Sequence, residues 1–328
     1  MAELMYREAL NQALFEEMRR DPLVFTLGEG IAERGGSFKV TEGLLKEFGP
    51  GRVMDTPISE ASFTGCGVGA ALLGTRPVVE ILFVDFTGLI MDQIINQAAK
   101  YEFMSGGQGK VPMVLRTQGG AGNGLAAQHS QRLEHTLMNV PGLRILAPAT
   151  PQDAYWQLSQ AIASDDPVIL LEHELLYFNK GPFDAEAEAV PMHAAAIRRA
   201  GRDVTLIAWH RMVAVALEAA EQMAERDIDV EVIDLRSLRP IDLPLLRDSL
   251  ARTHRAVIVE EDCRFGGAGA EIAASLSETA FFELEQPVLR VAAADVPTPY
   301  NAELEQASIP RVDDVTHMVQ QMLGPREK

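Results

Sequence analysis

The chain has 328 residues, 47% of them hydrophobic and 23% charged. That is an ordinary globular composition, enough for two domains at about 150 residues each, and it excludes disorder over most of the length. Acidic residues outnumber basic ones 47 to 29, a net charge of -18, which argues against a nucleic-acid backbone or an anionic membrane as main partner and suits a basic protein partner.

Met1 to Arg20 carries acids and bases throughout and gives no secretory pattern. Within it, Ala9, Leu10, Ala13, Leu14 and Met18 recur at helical spacing, so Tyr6 to Arg20 is predicted as a helix. Val24 to Leu27 is a short buried strand, and Gly28, Gly30, Gly35 and Gly36 mark a loop. A helix over Thr41 to Phe48 and a strand over Val53 to Asp55 follow. Next comes a small-residue helix, Ala61 to Gly74, whose Gly65 and Gly69 share a face and predict close packing there. Pro77 to Phe83 reads as a strand, Phe86 to Tyr101 as a helix and Val111 to Arg116 as a strand. The longest apolar stretch, Pro77 to Met91, is broken by Glu80 and Asp85, so no bilayer span is expected. A glycine-rich loop, Gly119 to Gly124, leads to Gln128-His129-Ser130-Gln131. Leu143 to Ala147, Pro151 to Ala163 and Pro167 to Glu172 complete the first half as strand, helix and strand.

Gly181 to Glu186 is acidic and aperiodic and reads as a linker. After Gly201 strands and helices alternate again as far as Val288 to Ala292. Such alternation predicts an α/β fold of two doubly wound, mostly parallel-sheet domains, residues 1–188 and 189–328.

Neither Gly28-Glu29-Gly30 nor Gly65-Cys66-Gly67-Val68-Gly69 stands in a dinucleotide-binding context, and no Walker loop occurs. Cys66 and Cys263 are the only cysteines. They exclude a disulfide framework and suit a reducing, cytoplasmic setting. No histidine pair has metal-ligand spacing on a helix face. Glu60 sits where a strand gives way to a helix, a place where ligands gather in parallel sheets. By position alone the first reading is an acid in the first turn of a helix, where it favours the helix dipole. His129, after the glycine loop and between amides, is an acid/base candidate or an exposed loop histidine.

Several segments taken together decide between these readings. They are Asp55-Thr56-Pro57-Ile58-Ser59-Glu60, Phe83-Val84-Asp85-Phe86 with Met91 to Asn96, Gln128-His129-Ser130, Pro141-Gly142-Leu143 with Ala147 to Pro151, Glu172 to Tyr177, Asp234 to Pro240 and Val288 to Ala293. In this order, over nearly the whole chain, they resemble the beta subunit of the thiamine-diphosphate-dependent 2-oxo acid dehydrogenase component, a transketolase-like family. The resemblance implies a pyrimidine-binding domain followed by a transketolase C-terminal domain. It implies that Glu60 hydrogen-bonds N1′ of the aminopyrimidine of thiamine diphosphate, that Phe86 packs on that ring, and that Glu29 lies near the cofactor. It implies that His129 faces the substrate and assists proton transfer. A potassium ion held by some relatives maps to Ala161, Ile162 and Asp166, with Ser164 where an acid is common.

The family's diphosphate-and-Mg²⁺ motif, Gly-Asp-Gly, does not occur. The resemblance therefore implies that an alpha subunit holds Mg²⁺ and the diphosphate, in an α2β2 heterotetramer. It also implies docking on the subunit-binding domain of a lipoyl acyltransferase. Pyruvate is the expected small 2-oxo acid substrate, with acetyl transfer to the lipoyl group. Acetoin and branched-chain relatives are close alternatives, and a non-catalytic docking subunit is the alternative of another class. A self-sufficient transketolase-like enzyme is disfavoured by the missing motif.

Overall fold

A computed structural model describes residues Ala2–Gly324. The chain folds as two compact units. The first holds the residues up to Gly119 and Thr136–Met192; the second holds Gly120–His135 and the residues from His193 on. The α/β class with mostly parallel sheets agrees with the sequence reading. No described helix is long and apolar enough to cross a membrane.

In chain order the first half forms β1 (Ala2–Met5), α1 (Tyr6–Arg20), β2 (Val24–Gly28), α2 (Leu44–Phe48), β3 (Val53–Asp55), α3 (Glu60–Leu72), β4 (Arg76–Ile81), α4 (Tyr101–Met104), β5 (Val114–Gly119), α5 (Glu134–Met138), β6 (Arg144–Leu146), α6 (Pro151–Ala163), β7 (Val168–His173) and β8 (Lys180–Phe183). In the first unit the strands lie in the order β6-β7-β5-β4-β2-β3, every pair parallel. The chain steps from β2 outward to β3, then crosses back over β2 to β4. That reversal creates a crevice at the carboxyl ends of β2 and β4, the usual ligand position in such sheets. The two strands approach closely there. A Cβ at Gly28 would lie 2.8 Å from the Glu80 carbonyl oxygen, so only glycine fits.

The core beside this sheet joins α1 to α6. Leu10, Leu14 and Met18 pack with Tyr155, Leu158 and Ile162 in one buried cluster. Pro151 opens α6, and the Thr150 hydroxyl accepts the Asp153 amide at 3.2 Å, so the helix start is legible in the sequence.

Three expectations need correction. The glycine face of α3 is Gly67, where a Cβ would meet Val79 at 2.8 Å; Gly69 has open space. The reason is phase, because Glu60, Thr64, Gly67, Val68 and Ala71 form the buried face. The helix expected over Phe86 to Tyr101 is a 3₁₀ turn, Val84–Ile90, then a π-helical turn, Asp92–Ala98, and only then α4. Thr87 donates to the Val84 carbonyl at 2.7 Å; this local bond and the low helix propensity of Gly88 both work against regular α-helix. The stretch read as a linker overlaps β8, which pairs antiparallel with β1. Its partner lies at the far end of the chain and leaves no local turn signal.

The second half forms β9 (Ala196–Arg199), β10 (Val204–Ala208), α7 (Met212–Ala224), β11 (Val230–Asp234), β12 (Ser237–Arg239), α8 (Leu243–Thr253), β13 (Ala256–Cys263), α9 (Ala268–Thr279), β14 (Leu289–Ala293), α10 (Ala302–Ser308) and α11 (Val312–Leu323). Its sheet runs β14-β13-β10-β11-β9, parallel except for β9. The sequence reading missed β9, α10 and α11. Val315, Val319 and Met322, all buried, carry the helical period that α11 needed.

The centre of the first sheet holds a buried ionic triad. Arg116 on β5 donates to Glu80 on β4 at 2.6 Å and to Glu172 on β7 at 2.7 and 2.8 Å. Tyr177 donates to Glu172 at 2.7 Å. Burial opposes the charge on Arg116, but the two carboxylates hold it above the ordinary guanidinium range. Burial pushes Glu172 up despite Arg116, since one cation serves two acids. Arg116→Met is expected to destabilise the chain by about 3–5 kcal/mol, because it strands two buried carboxylates. Urea unfolding of the full chain measures this; a loss of less than about 1 kcal/mol, typical of exposed pairs, would show that the triad is not an uncompensated-charge trap.

Candidate active site

Three of the residues singled out from the sequence leave the same edge of the first sheet. Glu29 follows β2 directly, Glu60 opens α3 after β3, and Phe86 lies in the 3₁₀ turn after β4. The parallel register sets Gly28 beside Asp55 and Glu80, so these exits are neighbours. Asp55 fixes the loop beyond Glu29 by accepting the Ala32 amide at 2.7 Å, and Thr56 N–H donates to the Gly28 carbonyl at 3.0 Å.

Glu60 is 7% exposed. No described residue donates a hydrogen bond to its carboxylate. Oε1 of Glu29 is enclosed and likewise has no donor. Burial, and after it the charge of Glu60, raise the Glu29 carboxyl above its ordinary value. Two acids at a sheet crevice, one with an enclosed oxygen that no donor meets, are costly to the fold. They fit a ligand that brings polar nitrogen and a proton.

Phe83 and Phe86 part company in the structure. Phe83 packs edge-on against Phe38 at 6.4 Å, and Phe38 stacks on Tyr177 at 4.5 Å. Phe83 therefore belongs to an aromatic cluster of the first unit. Phe86 is half-buried in the next turn, its amide bonded to the Phe83 carbonyl at 3.0 Å.

His129 belongs to the second unit, on the loop Gly120–His135. It is half-buried, and its backbone N–H closes a turn to Ala126 at 3.4 Å. The loop borders a cavity of about 350 Å³ in that unit, lined by Ser130, Arg132, His135, Asp262 and Cys263 among others. Sequence reasoning missed the groups that hold this loop. Buried Arg132 bonds Glu134 and His210. Burial works against the Glu134 charge, yet Arg132 and then His210 hold its carboxyl well below the ordinary range. His135 bonds Asp262 at 2.6 Å.

The chain matches the family model of the transketolase pyrimidine binding domain over residues 2–180 and that of the transketolase C-terminal domain over residues 193–315. It is 47% identical over 317 residues to the mitochondrial pyruvate dehydrogenase E1 component subunit beta-1 of Arabidopsis thaliana, covering 95% of this chain and 87% of that one. It is 43% identical over 320 residues to the pyruvate dehydrogenase E1 component subunit beta of Rickettsia felis, covering 98% of each. The chain belongs to the 2-oxo acid dehydrogenase beta-subunit family. Among solved structures, a split-gene transketolase in an inactive beta4 tetramer superposes with a TM-score of 0.81 at 25% identity, over 98% of both chains.

In this 2-oxo acid dehydrogenase beta subunit the segment considered for potassium is served from within the chain. The Ala161 carbonyl accepts the Ser164 amide at 3.2 Å, and the Ile162 carbonyl accepts from Arg76 at 3.1 Å. Asp166 pairs with Arg144 at 2.8 Å. None of the chemistry proposed for this chain passes through a cation there.

The His135–Asp262 pair gives a pH dependence of defined sign. The bond to Asp262 raises His135 above its ordinary value of 6.5, against the effect of burial. The pair's stabilisation is therefore fully present below about pH 6.5 and is lost as pH rises through the higher folded value. The urea midpoint of the full chain is expected to fall more between pH 6 and pH 9 than that of His135→Gln. Parallel declines in the two proteins would remove the pair from the account.

Proposed function

We propose that this chain is the beta subunit of a pyruvate dehydrogenase component. It acts with an alpha subunit in the decarboxylation of pyruvate and the transfer of the acetyl unit to the lipoyl group of an acyltransferase. The observation that carries this reading is the two carboxyls without a described donor at the crevice edge of the first sheet, buried Glu60 and half-buried Glu29, whose Oε1 is enclosed. They suit the aminopyrimidine of thiamine diphosphate, which supplies, when bound, a carbon nucleophile toward 2-oxo groups.

The residues then divide the work. Glu60 accepts a hydrogen bond at, or donates its proton to, the pyrimidine ring nitrogen, and its burial keeps water from competing for that proton. Glu29, whose carboxyl burial and then the charge of Glu60 raise above its ordinary value, stands beside Glu60 as a second acid near the cofactor. Phe86 gives the ring an apolar face. His129 moves a proton at the substrate oxygen. The alpha subunit holds the diphosphate and Mg²⁺, a division supported by the missing Gly-Asp-Gly motif. The acidic surface suits the basic subunit-binding domain of the acyltransferase.

The test is CO₂ release from pyruvate with thiamine diphosphate and Mg²⁺, by the chain alone and with an alpha subunit. Activity is expected only in the mixture. Glu60→Gln is expected to reduce the mixture's kcat by about 10²–10⁴-fold, the usual scale of a lost acid/base group. Activity by the chain alone, or full activity of Glu60→Gln, would overturn the reading.

A further inference from the structure

The loop that carries His129 starts in a run of glycines with left-handed backbone, Gly120 at φ 106°, Gly122 at φ 118° and Gly124 at φ 67°. Such a run is entropically costly to order. Its N–H groups nevertheless converge on two acids of the second unit. Gly122 N–H donates to Glu305 Oε1 at 2.8 Å, and Gly124 N–H reaches both oxygens of Glu305 at 3.3 and 3.1 Å. Ala121 N–H donates to Glu261 Oε1 at 2.7 Å. Glu305 is 1% exposed and projects from α10, far along the chain from the loop. A buried carboxylate that accepts charge-assisted bonds from alternate amides fixes the backbone more firmly than a neutral acceptor could. A Cβ at Gly122 or Gly124 would strain the conformation that turns those amides inward.

We propose that Glu305 is a positioning residue for His129: it clamps the glycine run so that the histidine five residues beyond Gly124 is held at the substrate. This rests on the reading of His129 given above. Glu305 acts through the loop and does not itself touch substrate. A misplacement of about 1 Å in an acid/base group can lower a rate ~10²-fold, so a clamp of this kind has leverage on kcat and little on cofactor affinity.

The test uses the alpha–beta complex with Glu305→Ala, Glu305→Gln, His129→Gln and the double variant Glu305→Ala/His129→Gln. Glu305→Ala is expected to lower kcat at least about tenfold, to leave thiamine diphosphate affinity within about twofold, and to speed exchange at the Gly122 and Gly124 amides while the first sheet's strands keep their protection. Glu305→Gln keeps one carbonyl acceptor and is expected to restore much of the rate. The double variant is expected to be no slower than His129→Gln, since the two residues lie on one line of action. Unchanged kcat or unchanged amide exchange in Glu305→Ala overturns the clamp. Multiplying losses in the double variant overturn its action through His129. Full activity of His129→Gln instead overturns the reading of His129, and the amide exchange then still decides whether Glu305 holds the loop.

Discussion

The first unit is organised around one buried cation. Arg116 stands on the middle strand of three and reaches an acid on each neighbour, Glu80 and Glu172. A buried triad of this kind is weak evidence for net stability, because desolvation consumes most of the attraction. Its effect is on register. Glu80 lies directly opposite Arg116 in the parallel ladder, and Glu172 lies opposite Gln118, two residues further along β5. A slip of one residue in either pairing would turn a charge to the opposite face. The alternatives to the native pairing therefore bury unpaired charge, and the native pairing alone does not.

Register at the centre becomes position at the edge. Glu80 also lies beside Gly28 across β2 and β4, where no side chain fits between the backbones. The exits of β2, β3 and β4 are thus fixed relative to one another, and with them Glu29, Glu60 and the turn holding Phe86. The triad continues outward as well. Glu172 takes the Tyr177 hydroxyl, Tyr177 stacks on Phe38, and Phe38 meets Phe83. The aromatic chain ends one turn before Phe86, so that segment rests on the same ionic centre.

Much of this was legible in the sequence, and what was not has identifiable causes. Helices α1 and α6 were clear because their apolar period and, in α6, the Thr-Pro start agree. The short parallel strands were clear because both faces are buried and they read as apolar runs. The charges inside those runs were also visible: Glu80 in Arg-Pro-Val-Val-Glu-Ile and Glu172 in Val-Ile-Leu-Leu-Glu-His. A charge inside an otherwise apolar strand signals a buried partner, though not which one. Strand β8 was hidden because its pairing partner is remote. The phase of α3 is hidden because glycine spacing alone does not say which glycine faces the sheet.

The candidate site divides in the same way. Glu29, Glu60 and Phe86 stand at strand ends, where topology gives position meaning. His129 stands on a glycine loop, where local sequence gives none. What holds that loop comes from Glu261 and Glu305, more than a hundred residues downstream, and only folding brings them to it. A loop rich in glycine is therefore not evidence of mobility by itself. Its amides are unobstructed by side chains, so they can be gathered by a buried carboxylate, and the residue type that frees the backbone also lets it be held.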